Sequence, residues 1–491
     1  MNNSLRATKK HPRALFSLSL SYSLFMAAFG GILASLTLYQ TNQLHMNSNL
    51  AYGVFSAAMA LLWIFPLWGG YLSEKLGYTH TAYVGLLFCA LGMGSFCFND
   101  VSAMYIGLAL FVVGNALATP AIWCMVDHCY SKDSLMRESG FTLFYLYFNL
   151  GAVISIFLGG YIATKYGFSV EFALDTVCLL FAMLFLHIAK DKILPQPGRT
   201  IAPNVSWGKV KIYMCLMLAC VIATPLTLLL FKNLTVNNVL IAVLMLLMIV
   251  VLLKMAFKQP NKMMRNKFIA FVSLAVISIT FWTLYSLEPS FLSVFIQNNV
   301  DTHFLGFNIP ASSYFAFDGV FVILIGLVLS RLWVYLNLKR KNPTLSFKFA
   351  ASLVIIGCGF AFLGVMTKLH GNTLLPTHYV VIAYAIFAFG ELLVSPLGIS
   401  MVGSLAPEGQ EGLLMGFWQL STGVGGMIAG YVAMIPHFPA KAEPLAQSNP
   451  EYVVMFVWVG GVAALLGFGV MLFTRKLYRL MEEPAYIAPQ V

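Results

Sequence analysis

The chain has 491 residues, 59% of them hydrophobic and 10% charged, with a mean hydropathy of +0.82. A soluble domain carries about 25% charged residues, so this composition excludes a single soluble core and reads as a polytopic membrane protein. The net charge of +11 does not indicate nucleic acid, because the Lys and Arg fall in short clusters between apolar runs.

A spanning helix needs about 20 apolar residues. In chain order, such runs lie near 14–39, 51–73, 80–98, 103–126, 139–163, 169–188, 210–231 and 236–257. Six more follow near 267–296, 312–335, 346–368, 379–403, 411–434 and 452–474. The reading is an all-α polytopic membrane protein of fourteen spans. Arg6, Lys9, Lys10 and Arg13 precede the first run, whose length exceeds the 7–15 residues of a signal core. A first spanning helix is expected there rather than a cleaved leader.

Charge tests the count. With the N-terminus in the cytoplasm and strict alternation, the inside segments collect 25 of the 29 basic residues. The outside segments hold only Lys165, Lys232, Lys368 and Lys441. A missed or extra helix would scramble this asymmetry, so an even count with both termini cytoplasmic is expected. Basic stretches at 190–211 and 254–267 divide the spans into six, two and six. Domains are expected at 1–190 (six-helix bundle), 191–266 (linker with two additional helices) and 267–491 (six-helix bundle). Two six-span halves are the major-facilitator plan, with substrate held near the midplane. The central pair is apolar and nearly free of Gly, as lipid-exposed helices would be.

Eight scattered Cys form no C-x-x-C pair, so no redox or zinc site is indicated. Nine dispersed His, with no H-E-x-x-H or G-x-S-x-G, argue against an enzyme. No catalytic or metal residue is assigned, and no cofactor is implied beyond a proton gradient.

The informative residues are the intramembrane acids. A charge at a helix centre costs roughly 2.5–3.5 kcal/mol on insertion scales, so such residues face a cavity or a partner. Glu391, alone in FGELLVSPLGIS, is the first candidate, and Asp318 the second. Glu288 is followed by Pro289, which leaves a solvated helix end and a site equally open. Asp175 reads as a vestibule or interface residue, and Glu171 as a helix-end residue. Asn149, one turn after Tyr145 in FTLFYLYFNLG, is a polar group that needs a partner or a ligand. The glycines of GGYLSEKLGY and GVGGMIAGYV read as close helix packing.

These stretches resemble the proton-dependent oligopeptide transporter family. FTLFYLYFNLGAV is similar to the family's F-x-x-F-Y-x-x-I-N-x-G signature, with Asn149 on its Asn. GELLVSPLGIS resembles G-E-x-x-x-S-P-x-G-L-S, which places Glu391 and Ser395 on its Glu and Ser, and GFWQLSTGVGGMIAG brings Trp418. The resemblance implies alternating access and proton-driven import of di- and tripeptides. It implies that Glu391 pairs with a peptide's amino group, and that Asn149 and Trp418 line the cavity. Candidate substrate-binding residues are therefore Glu391, Asn149, Trp418, Asp318, Tyr145 and Ser395. Proton-coupling candidates are Glu391, Asp318 and Glu288.

Departures from the pattern are concentrated in its charges. The family's E-x-x-E-R-[FY] falls on YSLFMA, with Tyr22, Phe25 and Met26. Its span 4 Lys falls on Thr119, its span 7 Glu on Ser286 and its span 8 Asn on Asp318. Loss of the Lys alone would strand a buried acid at a cost of roughly 3–5 kcal/mol, so the joint loss of Lys and Glu is self-consistent. The resulting expectation is a cavity biased toward amine-bearing, cationic or neutral ligands, with no basic clamp for a peptide carboxylate. An exporter or facilitator of amphipathic or cationic molecules is the alternative. The partners expected are a peptide-like small molecule and the bilayer, with no nucleic acid. A monomer in a bacterial-type inner membrane is expected.

In a cysteine-free background, cysteines at positions 165, 232 and 368 should react with a membrane-impermeant maleimide on intact cells. Cysteines at 75, 190 and 258 should react only after permeabilisation, and the reverse pattern would invert the topology.

Overall fold

The computed structural model describes residues 11–130, 137–193, 203, 205–259, 261–304, 306–398, 401, 411–435 and 444–481. The helices are α1 (Arg13–Leu38), α2 (Ser48–Ile64), α3 (Pro66–Leu76), α4 (Tyr78–Phe96), α5 (Val101–Asp127), α6 (Arg137–Tyr166), α7 (Phe168–Lys190) and α8 (Lys209–Lys232). They continue with α9 (Leu234–Lys258), α10 (Lys262–Leu287), α11 (Ser293–Asn299), α12 (Phe315–Leu338), α13 (Leu345–His370), α14 (Thr377–Leu392), α15 (Glu411–Ala433) and α16 (Leu445–Met481). Among the described residues, twelve helical stretches are long and apolar enough to cross a membrane. Helices α4 and α15 occupy the two further apolar runs that the sequence marks as spans.

Helix ends follow local chemistry. Asp100 accepts from the Ala103 N–H at 3.0 Å to start α5, and Asn261 accepts from the Met263 N–H at 2.9 Å to start α10. Gly77 and Gly167 take φ of +90° and +91° at the breaks before α4 and α7, a conformation that a Cβ would strain. The second expected span, 51–73, is not one helix. It breaks at Phe65 into α2 and α3, where Pro66 supplies no N–H and suits the first position of the new helix. Short strands β1 (Val300–Asp301) and β4 (Leu375–Pro376) pair in parallel, while β2 (His303–Phe304) and β3 (Phe307–Asn308) form a hairpin. There the His303 N–H and ring hold the exposed Asp301 carboxyl below its usual range.

The chain divides into two compact units. One comprises the described residues up to Tyr39 with Phe65–Asn233, and the other Gln40–Ile64 with the described residues from Leu234 onward. In the first unit, α1 packs on α6 and α7, and α4 packs on α5 and α7. A Cβ built on Gly85 would lie 2.7 Å from the Gly114 carbonyl oxygen, and one on Gly114 would lie 2.6 Å from the Gly85 oxygen. Gly92 and Gly107 show the same reciprocity at 2.7 Å each way. Lipid gives no hydrophobic drive between helices, so these contacts derive from close van der Waals approach.

In the second unit, α13 packs on α16 and α14, and α15 packs on α2 and α10. Gly357 and Gly460 repeat the reciprocal approach, at 2.6 and 2.5 Å. The glycines of GVGGMIAGYV do pack helices. Gly426 faces Met59, Gly430 faces Ser56, and the Ser56 hydroxyl donates to the Met427 carbonyl at 3.0 Å.

The inserted pair does not pack as an isolated hairpin. Helix α8 belongs to the first unit and seats Ile212, Leu216 and Cys220 on α4 and α5, against Val84, Phe88, Val113 and Leu117. Helix α9 belongs to the second unit and packs on α10, α15 and α2, with the Asn238 amide donating to the Tyr431 hydroxyl at 2.7 Å. The remaining faces of both helices expose Met214, Leu218, Val243 and Leu246, among other apolar side chains.

Gly92→Leu should lower the thermal unfolding midpoint, with an overpacking cost of about 1–3 kcal/mol. Gly461→Ala should leave the midpoint unchanged, because a Cβ there meets nothing within 4 Å. Equal midpoints for the two variants would refute the seam.

Candidate functional site

Three acids converge in the second unit. Helix α10 ends at Leu287, and the chain widens into a π-turn over Glu288–Leu292, a form that often marks functional positions. Glu288 opens this turn and is 0% exposed. Asp318 lies in the first turn of α12 and is 3% exposed. Glu391 lies in the last turn of α14 and is half-buried. Tyr384, two turns earlier on the same face of α14, is fully buried. Glu288, Asp318 and Glu391 act on one another electrostatically, and Tyr384 lies in reach of Glu288 and Asp318.

The carboxyls of Asp318 and Glu391 are hydrogen-bonded to each other. Carboxylates only accept, so this bond requires one proton between the two groups. Both oxygens of Glu288, Oδ1 of Asp318, Oε2 of Glu391 and the Tyr384 hydroxyl are buried without a hydrogen-bond partner. Among the described residues no Lys, Arg or His pairs with the three acids. Buried polar atoms are nearly always satisfied, so four orphaned carboxyl oxygens converging in one place mark a receptor for donors. An ammonium group supplies three N–H donors and a positive charge, which matches that inventory.

The structure places the other expected residues in separate surroundings. Trp418 is buried among rings, 6.3 Å from Trp282 and 6.1 Å from Phe349 by ring centroid, and the absent side chain of Gly398 makes room for it. Ser395 is half-buried just beyond α14. Asn149 and Tyr145 are in the first unit. Asn149 donates to the Tyr145 carbonyl at 2.9 Å, one turn back on its own helix, and Tyr145 is exposed. The solvated-end reading of Glu288 is overturned by its complete burial, because the helix continues past Pro289 in the π-turn.

The stretch where the resemblance expects a charged cluster is aromatic instead. Tyr22 of α1 stacks on Phe25 and Phe144 at 5.3 and 5.1 Å, and meets Trp123 edge-on at 6.1 Å. Thr119, at the lost Lys, donates to the Asn115 side chain at 2.7 Å. A second acidic pair, Glu171 and Asp175, lies one turn apart on α7, and both are buried. Glu171 lies at a helix end, in the first turn of α7, and there the Ser35 hydroxyl donates to its Oε1 at 2.6 Å, a contact between α1 and α7. Tyr384 and the Ser35–Glu171 bond escaped the sequence reading. The i, i+4 spacing of Glu171 and Asp175 was the one local sign of a shared face.

The helical architecture is that of a polytopic membrane transporter of major-facilitator type. A profile of the POT family, the proton-dependent oligopeptide transporters, matches residues 74–448, and the chain belongs to that family. It is 28% identical over 464 residues to dipeptide and tripeptide permease B of Xenorhabdus bovienii, covering 93% of each chain. It is 27% identical over 484 residues to dipeptide and tripeptide permease A of Escherichia coli, covering 97% of this chain and 95% of that one. The crystal structure of a POT peptide transporter in complex with sulfate superposes with a TM-score of 0.83 at 23% identity, over 97% of both chains.

The purified protein should show the infrared carbonyl stretch of a protonated carboxylic acid at neutral pH. Asp318→Asn should lower that intensity, leaving the contribution of the other buried acids, Glu171, Asp175 and Glu288. An unchanged band would place the proton elsewhere.

Proposed function

We propose that this chain imports di- and tripeptides, and related amine-bearing molecules, by proton-driven alternating access across a bacterial inner membrane. Membership of the POT family and the permease relatives support the peptide reading. One observation carries the site assignment: Glu288, Asp318 and Glu391 are gathered with unsatisfied oxygens and no cation. Glu391 receives the substrate's ammonium group, and Asp318, which shares its proton, is the switch between proton and substrate. Glu288 is the reserve acid behind them. Trp418, Asn149, Tyr145 and Ser395 are proposed as lining residues on the family resemblance. The halves 1–190 and 267–491 are proposed as the rocking bodies, with both termini cytoplasmic and the monomer as the working unit.

The lost charges shape selectivity. Thr119 and the aromatic cluster around Tyr22 offer no positive charge to a substrate carboxylate. Substrates are therefore held by the amino end, and the carboxyl end contributes little.

In proteoliposomes, an inward proton gradient should drive accumulation of labelled dialanine. Glu391→Gln should weaken binding by about 10–100-fold, the value of a charge-assisted hydrogen bond. Asp318→Asn should flatten the dependence on the proton gradient. Dialanine amide should compete as well as dialanine, whereas N-acetyl-dialanine should not. Intact proton coupling in the Glu391→Gln/Asp318→Asn double variant would sink the coupling assignment. A strong demand for the free carboxylate would sink the amino-end reading.

A further inference from the structure

A groove of about 530 Å³ opens between the start of α13 and the end of α16, far in sequence from the acid cluster. Arg475 and Arg479 line it from α16, one turn apart and therefore on one face, with Tyr478 beside them. Asn342, Thr344 and Phe347 line it from the start of α13. The two elements are tied by the Ser346 hydroxyl, which donates to the Thr474 carbonyl at 3.3 Å. Thr344 caps α13, accepting from the Phe347 N–H at 3.3 Å, so the positive end of that helix also faces the groove.

Among the described residues, the charged side chains around the groove are all basic. Lys339, Arg340 and Lys341 run into the groove's edge and Lys476 flanks it, all exposed. Among the described residues no carboxylate forms a salt bridge with Arg475 or Arg479. Lys348 is close in sequence but spent elsewhere: it is buried, with its ammonium 4.0 Å above the Trp333 ring. Beyond the arginines the surface turns apolar. Phe347, Leu472 and Phe473 are exposed at 42%, 83% and 60%, as side chains facing acyl chains would be.

We propose that this groove is a binding site for an anionic phospholipid, with Arg475 and Arg479 clamping the headgroup phosphate. Guanidinium groups bind phosphate oxygens bidentately and hydrate weakly, which suits the membrane interface. Basic pockets between helices on the cytoplasmic side hold anionic headgroups, and the cytoplasmic leaflet supplies them. Tyr478 and Phe347 flank the glycerol region, and Leu472 and Phe473 meet the chains. A soluble phosphate would use the arginines but gain nothing from the apolar rim. The site rests on the fold and on the cytoplasmic placement of this end, and not on the substrate assignment.

The test uses the purified, delipidated full chain in neutral detergent. Added phosphatidylglycerol should raise the thermal unfolding midpoint by about 5 °C, the scale of a ligand well above its dissociation constant. Phosphatidylcholine and inorganic phosphate should not do so. Arg475→Gln/Arg479→Gln, and to a lesser degree Arg479→Gln alone, should lose the shift, with loss of a retained phosphatidylglycerol in native mass spectra. Lys254→Gln/Lys258→Gln, an exposed basic pair one turn apart on α9, should keep both. Full retention of the lipid by the arginine variants would overturn the site. An equal loss in the α9 control would reduce it to general surface charge. An equal shift with inorganic phosphate would make it a free-anion site.

Discussion

The acid cluster of the second unit turns on the hydrogen bond between the Asp318 and Glu391 carboxyls. Three buried acids without a cation are intolerable as three charges: like charges repel in a low dielectric, and each loses its hydration. The carboxyl–carboxyl hydrogen bond between Asp318 and Glu391 needs one proton, and Glu288, fully buried with no partner, lowers its own cost by taking up another. Four carboxyl oxygens of the cluster are left without a donor. The π-turn at Glu288, the first turn of α12 and the last turn of α14 serve to bring these oxygens together.

The first unit has taken the opposite course. Where its relatives' signature carries acids and an arginine, this chain packs Tyr22, Phe25, Phe144 and Trp123 into an aromatic block. Aromatic pairs of this geometry are worth about 0.5–1.5 kcal/mol each beyond their burial. The region is stabilised by contact rather than by charge, and among the described residues Asn115–Thr119, Asn149 and the Glu171–Asp175 pair are polar groups of this unit. The first unit thus keeps two buried acids, Glu171 and Asp175, while the stretch of the family signature is aromatic.

The arrangement was partly readable from the chain. Lone acids in apolar runs are conspicuous because insertion is costly, and Glu391, Asp318 and Glu288 stood out for that reason. The spans were readable from apolar length and from the positions of Lys and Arg. Tyr384 was not readable, since a tyrosine in a membrane helix looks like any other ring until its hydroxyl is found unsatisfied. The Ser35–Glu171 bond joins residues 136 apart, and no local pattern announces it. Asn149 showed the reverse limit: its demand for a partner was evident, yet its own helix supplies one. The break at Pro66 was hidden because the hydropathy on both sides is continuous.

The glycine seams have a bearing on how signals move through the protein. The approaches Gly85–Gly114 and Gly92–Gly107 are backbone-to-backbone, bordered only by the side chains of Cys89, Phe96 and Phe111 among the nearest contacts, and no charged side chain is among them. Close backbone approach leaves α4 and α5 no room to slide past one another without one helix rising over the other's carbonyls. In the proposed transport cycle such seams would move as units, and the polar side chains are the contacts left to rearrange. The scarcity of those residues, rather than the stiffness of the bundle, sets how many channels of communication the protein has.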